Sequence, residues 1–198
     1  ELRSTAGLFF VFGVQKGSHY MLYSPVQQGI IHKLSPMSSL IKPITPHLWF
    51  ETPEQVQEAV DYYVSVFPNS KVLHVSVLHN TPTPGGDTFI YDFELNGQRF
   101  MAINGGDIFQ FNEAISFIIT CQTQEEIDMY WSKLSAVPES EQCGWCKDKF
   151  GLSWQITPLY LDEILASGDQ EKIDRVTQAF LPMKKIDLNI LRTAAEPA

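Results

Sequence analysis

The stretch Ile44-Thr-Pro-His-Leu-Trp-Phe50 leads through Thr52-Pro-Glu-Gln55 into apolar residues at Val56, Ala59, Val60, Tyr63, Val64 and Phe67. It reads as a strand, a capped turn and an amphipathic helix. The same unit returns as Ala114-Ile-Ser-Phe-Ile-Ile-Thr120, then Thr123-Gln-Glu-Glu126, then Ile127, Tyr130, Trp131 and Leu134. Thr52 maps onto Thr123, Val56 onto Ile127, Val60 onto Trp131 and Tyr63 onto Leu134, a constant offset of 71 positions. In each copy a threonine hydroxyl is placed to accept from an orphan N–H of the first turn. Gln55 or Glu126, three residues on, is expected to reach back to the cap residue's own N–H. Pro53 sits at the first helical position, where its missing N–H costs nothing. Two copies of one unit predict a pseudo-symmetric protein whose useful surface lies where the copies face each other.

Outward from the first copy, Lys71 to Asn80 reads as a strand, with Leu73, Val75 and Val77 alternating against Val72, His74 and Ser76. Thr81-Pro-Thr-Pro-Gly-Gly-Asp87 is a dense turn signal. Phe89, Tyr91, Phe93 and Leu95 then alternate with Asp92 and Glu94 on the opposite face. Asn96-Gly97 is a two-residue hairpin turn, and Gln98 to Asn104 returns as a strand. The first unit is β-α-β-β-β. The second runs as strand 114–121, helix 124–135, a minor strand around Val137–Glu141, and strands near 142–148 and 152–157 joined by the turn Asp148-Lys-Phe-Gly151. A helical tail follows as Leu159 to Ala166 and Gln170 to Leu181, ending near Ile190. Antiparallel hairpins with helices on one side define an α+β protein.

At 198 residues with 44% hydrophobic and 19% charged residues, the chain is long enough to bury a real core. A net charge of −9 argues against a nucleic-acid binder, which needs clustered Lys and Arg. Lys184-Lys185 is the one adjacent basic pair and reads as cations near a helix end. Cys121, Cys143 and Cys146 are too few for a disulfide scaffold and fit a reducing compartment. No run reaches the roughly 18 apolar residues that span a bilayer, so the expected location is cytoplasmic. Residues 1–36 show neither period for long and read as a leader outside the domain, with Met37 as the natural start of 37–198. The alternative is an additional packed strand at Leu8–Val14.

Several segments resemble the vicinal oxygen chelate superfamily of glyoxalases, extradiol dioxygenases and bleomycin-resistance proteins. Within it the chain is similar to the PhnB-like branch, often labelled "3-demethylubiquinone-9 3-methyltransferase domain". The segments are Ile44 to Phe50, Gly97-Gln-Arg-Phe-Met-Ala-Ile-Asn-Gly-Gly106, Phe111-Asn-Glu-Ala-Ile-Ser-Phe117, Gln124 to Trp131 and Cys143-Gly-Trp-Cys-Lys-Asp-Lys-Phe-Gly-Leu-Ser-Trp-Gln155, with Met183 to Asp187 in the tail. The resemblance covers roughly residues 40–193. It implies two βαβββ modules, about 43–106 and 111–158, forming a curved sheet around a cavity, with the helical tail at 159–193. It also implies a homodimer.

The superfamily's enzymes hold a divalent metal (Zn, Ni, Mn or Fe) with residues from the first and last strands of each module. Here the resemblance offers His47 at the first position and Gln155 at the fourth, where Glu is common. Neither Gln98 to Asn104 nor Ala114 to Gln122 carries a histidine or carboxylate, so only His47, Gln155 and an amide such as Asn104 remain as donors. The expected site is therefore metal-poor, with His47 either lining a pocket or acting as a general acid or base. His74 and His79 are five apart on one strand, point to opposite faces and read as surface residues. Cys143-Gly-Trp-Cys146 has redox spacing but lies in a strand instead of opening a helix, so its thiols lack that activation. Neither Gly85-Gly86 nor Gly105-Gly106 opens a helix, which argues against a nucleotide-type methyl-donor site.

What remains is an aromatic-lined cavity. Its expected ligand-binding residues are His47, Trp49, Phe100, Asn104, Phe117, Trp154 and Gln155, with Trp145 on the same set of strands. Three functions stay open: a small-molecule binder, a metal-dependent lyase, isomerase or dioxygenase, and a drug-sequestering protein whose acidic balance suits a cationic ligand.

Overall fold

The computed structural model describes residues 44–197. The leader 1–36, the start at Met37 and the strand considered at Leu8–Val14 lie outside the described residues.

Both capped helices form where the sequence places them. Helix α1 (Pro53–Val66) follows Thr52, whose hydroxyl accepts from Gln55 N at 3.2 Å. Helix α2 (Gln124–Leu134) follows Thr123, which accepts from Glu126 N at 3.3 Å. The return bond goes one residue further back than expected, and does so identically in both copies. Gln55 Oε1 accepts from Glu51 N at 2.8 Å, and Glu126 Oε2 from Gln122 N at 2.6 Å. Each cap contributes about 1 kcal/mol. The apolar stripe of α1, Val56, Ala59, Val60, Tyr63 and Val66, is buried, and each such large side chain adds roughly 1.5–3 kcal/mol.

Strands β1 (His47–Phe50), β2 (Lys71–His79), β3 (Asp87–Leu95) and β4 (Gln98–Asn104) form one sheet in the order β1-β4-β3-β2. Strand β1 runs parallel to β4, and the rest is antiparallel. One face packs on α1 through Leu48, Phe50, Phe93, Leu95, Phe100 and Ala102. The other face, here the outer face, carries His47, Trp49, Met101 and Ile103, with Ile90, Asp92 and Glu94 beside them. The pattern of β2 departs from simple alternation. A bulge between Val72 and His74 shifts the register, so Val72 joins Val75 and Val77 on the helix-side face while His74, Ser76 and Leu78 lie on the outer face. His74 and His79 are exposed and on opposite faces, as expected.

Strands β5 (Phe117–Cys121), β6 (Trp145–Lys147) and β7 (Ser153–Pro158) form a second sheet in the order β5-β7-β6. This repeats β1-β4-β3 of the first sheet, with β5 parallel to β7. The strand expected around Val137–Glu141 is a single 3-10 turn at Pro138–Ser140. Pro138 there removes a backbone donor that a ladder needs. The tail takes over this margin. Met183 O and Lys184 O accept from Cys143 N and Gly144 N, just before β6. The basic pair is thus used for docking, Lys184 on Glu141 and Lys185 on Asp128. The tail contains three helices, α3 (Leu159–Ala166), α4 (Gln170–Phe180) and α5 (Leu188–Ala195), the last separate from the second and capped by Asp187. Their small core includes Leu161, Ile164, Val176, Ile186 and Leu191. No helix among the described residues is long and apolar enough to cross a membrane.

The two modules share a core on their helix sides, with Tyr63, Phe67, Trp154, Phe100 and Phe117 in mutual aromatic contact at 5.2–5.7 Å. The two sheets are separate in one chain. Strand β1 ends the first and β5 ends the second, so each has an edge without a strand neighbour.

Candidate functional site

Register places His47 beside Met101, Met101 beside Asp92 and Asp92 beside His74, so one row crosses the outer face of the first sheet. The next row is Trp49, Ile103, Ile90 and Ser76. On the second sheet the corresponding row is Ile118, Gln155 and Trp145. With the offset of the repeat, His47 corresponds to Ile118, and Met101 on the strand beside it corresponds to Gln155. The four central positions are therefore an imidazole, a thioether, an alkyl group and an amide.

Trp49 is fixed in the first row. Its Nε1 donates to Gly106 O at 2.8 Å, its ring lies against Gly105, and Phe109 meets it edge-on at 5.0 Å. Gln155 is oriented by a bond from Nε2 to Ser116 Oγ at 2.7 Å, which leaves its carbonyl oxygen as the acceptor offered by the row. Partial burial lowers the pKa of His47 below its usual 6.5, so the ring is neutral at pH 7. A groove of about 390 Å³ runs along the free edge of β1 from Pro46 to Leu48 and is closed by Phe111, Ile115 and Phe117. A second groove, of about 560 Å³, follows Phe117 to Thr120 of β5.

The expected residues divide by face. His47, Trp49 and Gln155 lie on outer faces, joined by Trp145. Phe100 and Trp154 are core residues on the helix side, 5% and 2% exposed. Phe117 belongs to the helix side too, but borders both grooves. Asn104 is fully buried, and its amide extends the sheet. Its Oδ1 accepts from Phe89 N at 2.6 Å, and its Nδ2 donates to Asp87 O at 3.0 Å. Fully buried, Asn104 presents no atom to a ligand.

The donor set does not fit a resident divalent cation. A catalytic metal takes about three strong protein donors, and the four central positions supply one imidazole and one neutral carbonyl beside a thioether and an alkyl chain. Among the described residues no three His, Cys, Asp or Glu side chains cluster. The Cys-x-x-Cys pair is no better placed. Cys143 sits in a left-handed turn with φ 41° and Cys146 faces the core, and burial pushes the Cys146 thiol up to about 12.

Asp148, in sequence a residue of the Asp148-Lys-Phe-Gly151 turn, is the most highly coordinated side chain near the site. It is 1% exposed and accepts four bonds: from Tyr63 Oη and Trp154 Nε1 at 2.8 Å each, Phe150 N at 2.9 Å and Leu152 N at 3.0 Å. Through it α1 of the first module is tied to the β6–β7 turn of the second. Burial raises its pKa against the opposing pull of these donors.

Two sheets, of four and three strands, each with its module's first strand parallel to its last and followed by a helix, make a glyoxalase-type, vicinal oxygen chelate fold. The model of the 3-demethylubiquinone-9 3-methyltransferase family matches residues 42–157, and the chain belongs to that family, in its PhnB-like branch. A PhnB protein from Bacillus cereus, described as a 3-demethylubiquinone-9 3-methyltransferase, is 36% identical over 59% of this chain and 99% of its own, with a TM-score of 0.49. A protein from Pseudomonas aeruginosa is 16% identical over 60% of this chain and 98% of its own, with a TM-score of 0.46. The fosfomycin resistance protein FosX from Listeria monocytogenes is 13% identical over 62% and 94%, with a TM-score of 0.44. A mutant of FosX has been solved with Mn(II) and 1S,2S-dihydroxypropylphosphonic acid. A comparison with curated proteins finds no match.

Proposed function

We propose that the protein binds a small, partly apolar molecule in a site completed by two copies of the chain, without a resident metal. The outer face of β1 and β4 from one copy supplies His47 and Trp49, and that of β5 and β7 from the other supplies Gln155. The observation that carries this reading is the pair of free edges. Strands β1 and β5 end their sheets and each is bordered by an open groove, with His47 on β1 itself and Gln155 on β7, the strand next to β5. A twofold axis that sets β1 of one copy beside β5 of the other fills both grooves at once and brings His47 toward Gln155. Exposed Ile115 and Ile118, at 69% and 62%, lie where such an interface needs apolar surface.

Methyl transfer is not part of this reading. The strand-to-helix turns are Glu51-Thr52 and Gln122-Thr123, and β7 runs directly into α3, so none forms a glycine-rich cradle. Light scattering of the full chain combined with metal analysis tests the proposal. A dimer that Ile115→Asp converts to a folded monomer supports it. A wild-type monomer at all concentrations, or stoichiometric Zn, Ni, Mn or Fe lost in His47→Ala, overturns it.

A further inference from the structure

The chain carries a net charge of −9, yet its charges are not distributed evenly between the site faces and the rest of the surface. On the outer face of the first sheet the full charges are Lys71, Asp92, Glu94 and Arg99. Arg99 grips Asp92 with two bonds of 2.6 and 2.8 Å, and Lys71 lies 3.4 Å from Glu94. On the second sheet the charge is Lys147, which meets Glu113 at 2.5 Å. Three cations are thus each paired with a carboxylate, Glu113 reaching in from the loop before β5, whereas Glu51 and Asp107, at the margin beside Trp49, have no cation partner among the described residues. The surplus acid sits elsewhere, on helices and loops such as Glu54, Glu58 and Glu125.

At the centre of both faces stand uncharged groups: His47, Met101, Trp49 and Ile103 on the first, Ile118, Gln155, Thr120 and Thr157 on the second. His74 lies at the far end of the His47 row, three strands away and exposed to solvent. An anion entering this surface loses its hydration and, among the described residues, meets no free cation, which is costly. A neutral ligand with one or two hydrogen-bonding groups matches a neutral ring nitrogen and a free amide carbonyl while its apolar part covers Trp49, Ile103 and Ile118.

From these paired cations around a neutral centre we infer that the site selects an uncharged, hydrogen-bonding, ring-sized molecule over anions. The inference rests on the two-copy site described above. Three naphthalenes of one size test it on the full-length protein: naphthol, naphthalenesulfonate and naphthylmethylammonium, compared by calorimetry at pH 7. Naphthol is expected to bind at least ~10-fold more tightly than the sulfonate, because the anion gives up hydration without gaining a partner. Thr157→Glu, two residues from Gln155 on the same face of β7 and away from the free edge of β5, plants one carboxylate in the centre and is expected to move the preference to the ammonium probe. If the sulfonate equals or exceeds naphthol while Thr157→Glu still alters the ranking, the selectivity is wrong and the site stands. If no probe binds, or Thr157→Glu leaves all three affinities unchanged, the site itself is refuted.

Discussion

An ideal Cβ on Gly105 falls 2.0–2.3 Å from Cζ2, Cη2 and Cε2 of Trp49. The ring cannot move aside without losing its bond to Gly106 O and its edge contact with Phe109. Gly105 is therefore required by the indole and not by its own backbone angle. Gly105→Ala is expected to expel Trp49, shift part of the tryptophan emission to the red and cost about 1–3 kcal/mol in urea denaturation; an unshifted spectrum, judged against Trp49→Phe, contradicts this. At Asp148 the problem is polar, because four donors converge on one carboxylate. Asp148→Asn keeps the shape but adds an NH₂ facing other donors, so a loss of about 2–4 kcal/mol is expected, while an unchanged denaturation midpoint contradicts the bracket. His47 behaves oppositely to a paired histidine. Its folded-state pKa lies below 6.5, so the unfolded chain binds its proton more readily. Stability from this group is complete above pH 6.5 and declines as pH falls from there toward the lowered value. An NMR titration of the His47 ring with a midpoint at or above 6.5 refutes that assignment.

At the scale of elements, what could be read from the sequence was whatever is encoded locally. Threonine caps, a 3.6-residue stripe and an Asn-Gly turn depend on residues within a few positions, and α1, α2 and the β3–β4 hairpin form within a residue or two of where these signals fall. The face of a strand is a different kind of information. Alternation separated Phe100 from Met101 but could not say which row meets the helix, so two core aromatics, Phe100 and Trp154, were grouped with Trp49. Tertiary pairings were equally hidden. The bulge at Leu73, the amide of Asn104 spliced into the sheet and the replacement of a strand by Pro138–Ser140 all depend on chain neighbours far away in sequence. The same holds for the tail, whose helices were visible but whose docking was not. Gln124 grips it like a backbone, donating from Nε2 to Ile186 O at 3.1 Å and accepting from Leu188 N at 2.8 Å. Gln124→Ala is expected to cost about 1–2 kcal/mol and to raise amide exchange across 183–195 with little change in β3 and β4. Uniform acceleration throughout the chain shows instead that the tail is inseparable from the core.

At the scale of the whole molecule, duplication has kept the scaffold and divided the chemistry. The first module retains the imidazole and the complete four-stranded sheet, the second retains the amide and has its margin closed by the tail. Neither module has both polar groups, and within one chain the two outer faces belong to separate sheets. If the site is shared between copies, His47 of one chain works with Gln155 of the other, and this arrangement has a consequence that no single-chain site shares. Homodimers of His47→Ala and of Gln155→Ala each damage both of their sites. When the two variants are mixed and allowed to exchange, each mixed dimer carries one doubly damaged site and one with both residues intact. Random exchange then restores tight naphthol binding to about a quarter of all sites, following the twofold symmetry. A site built within one chain regains nothing on mixing, because every chain still carries its own lesion. Calorimetric stoichiometry of the mixture against each parent variant therefore separates the two architectures in one measurement, and a mixture no better than its parents rules out the shared site.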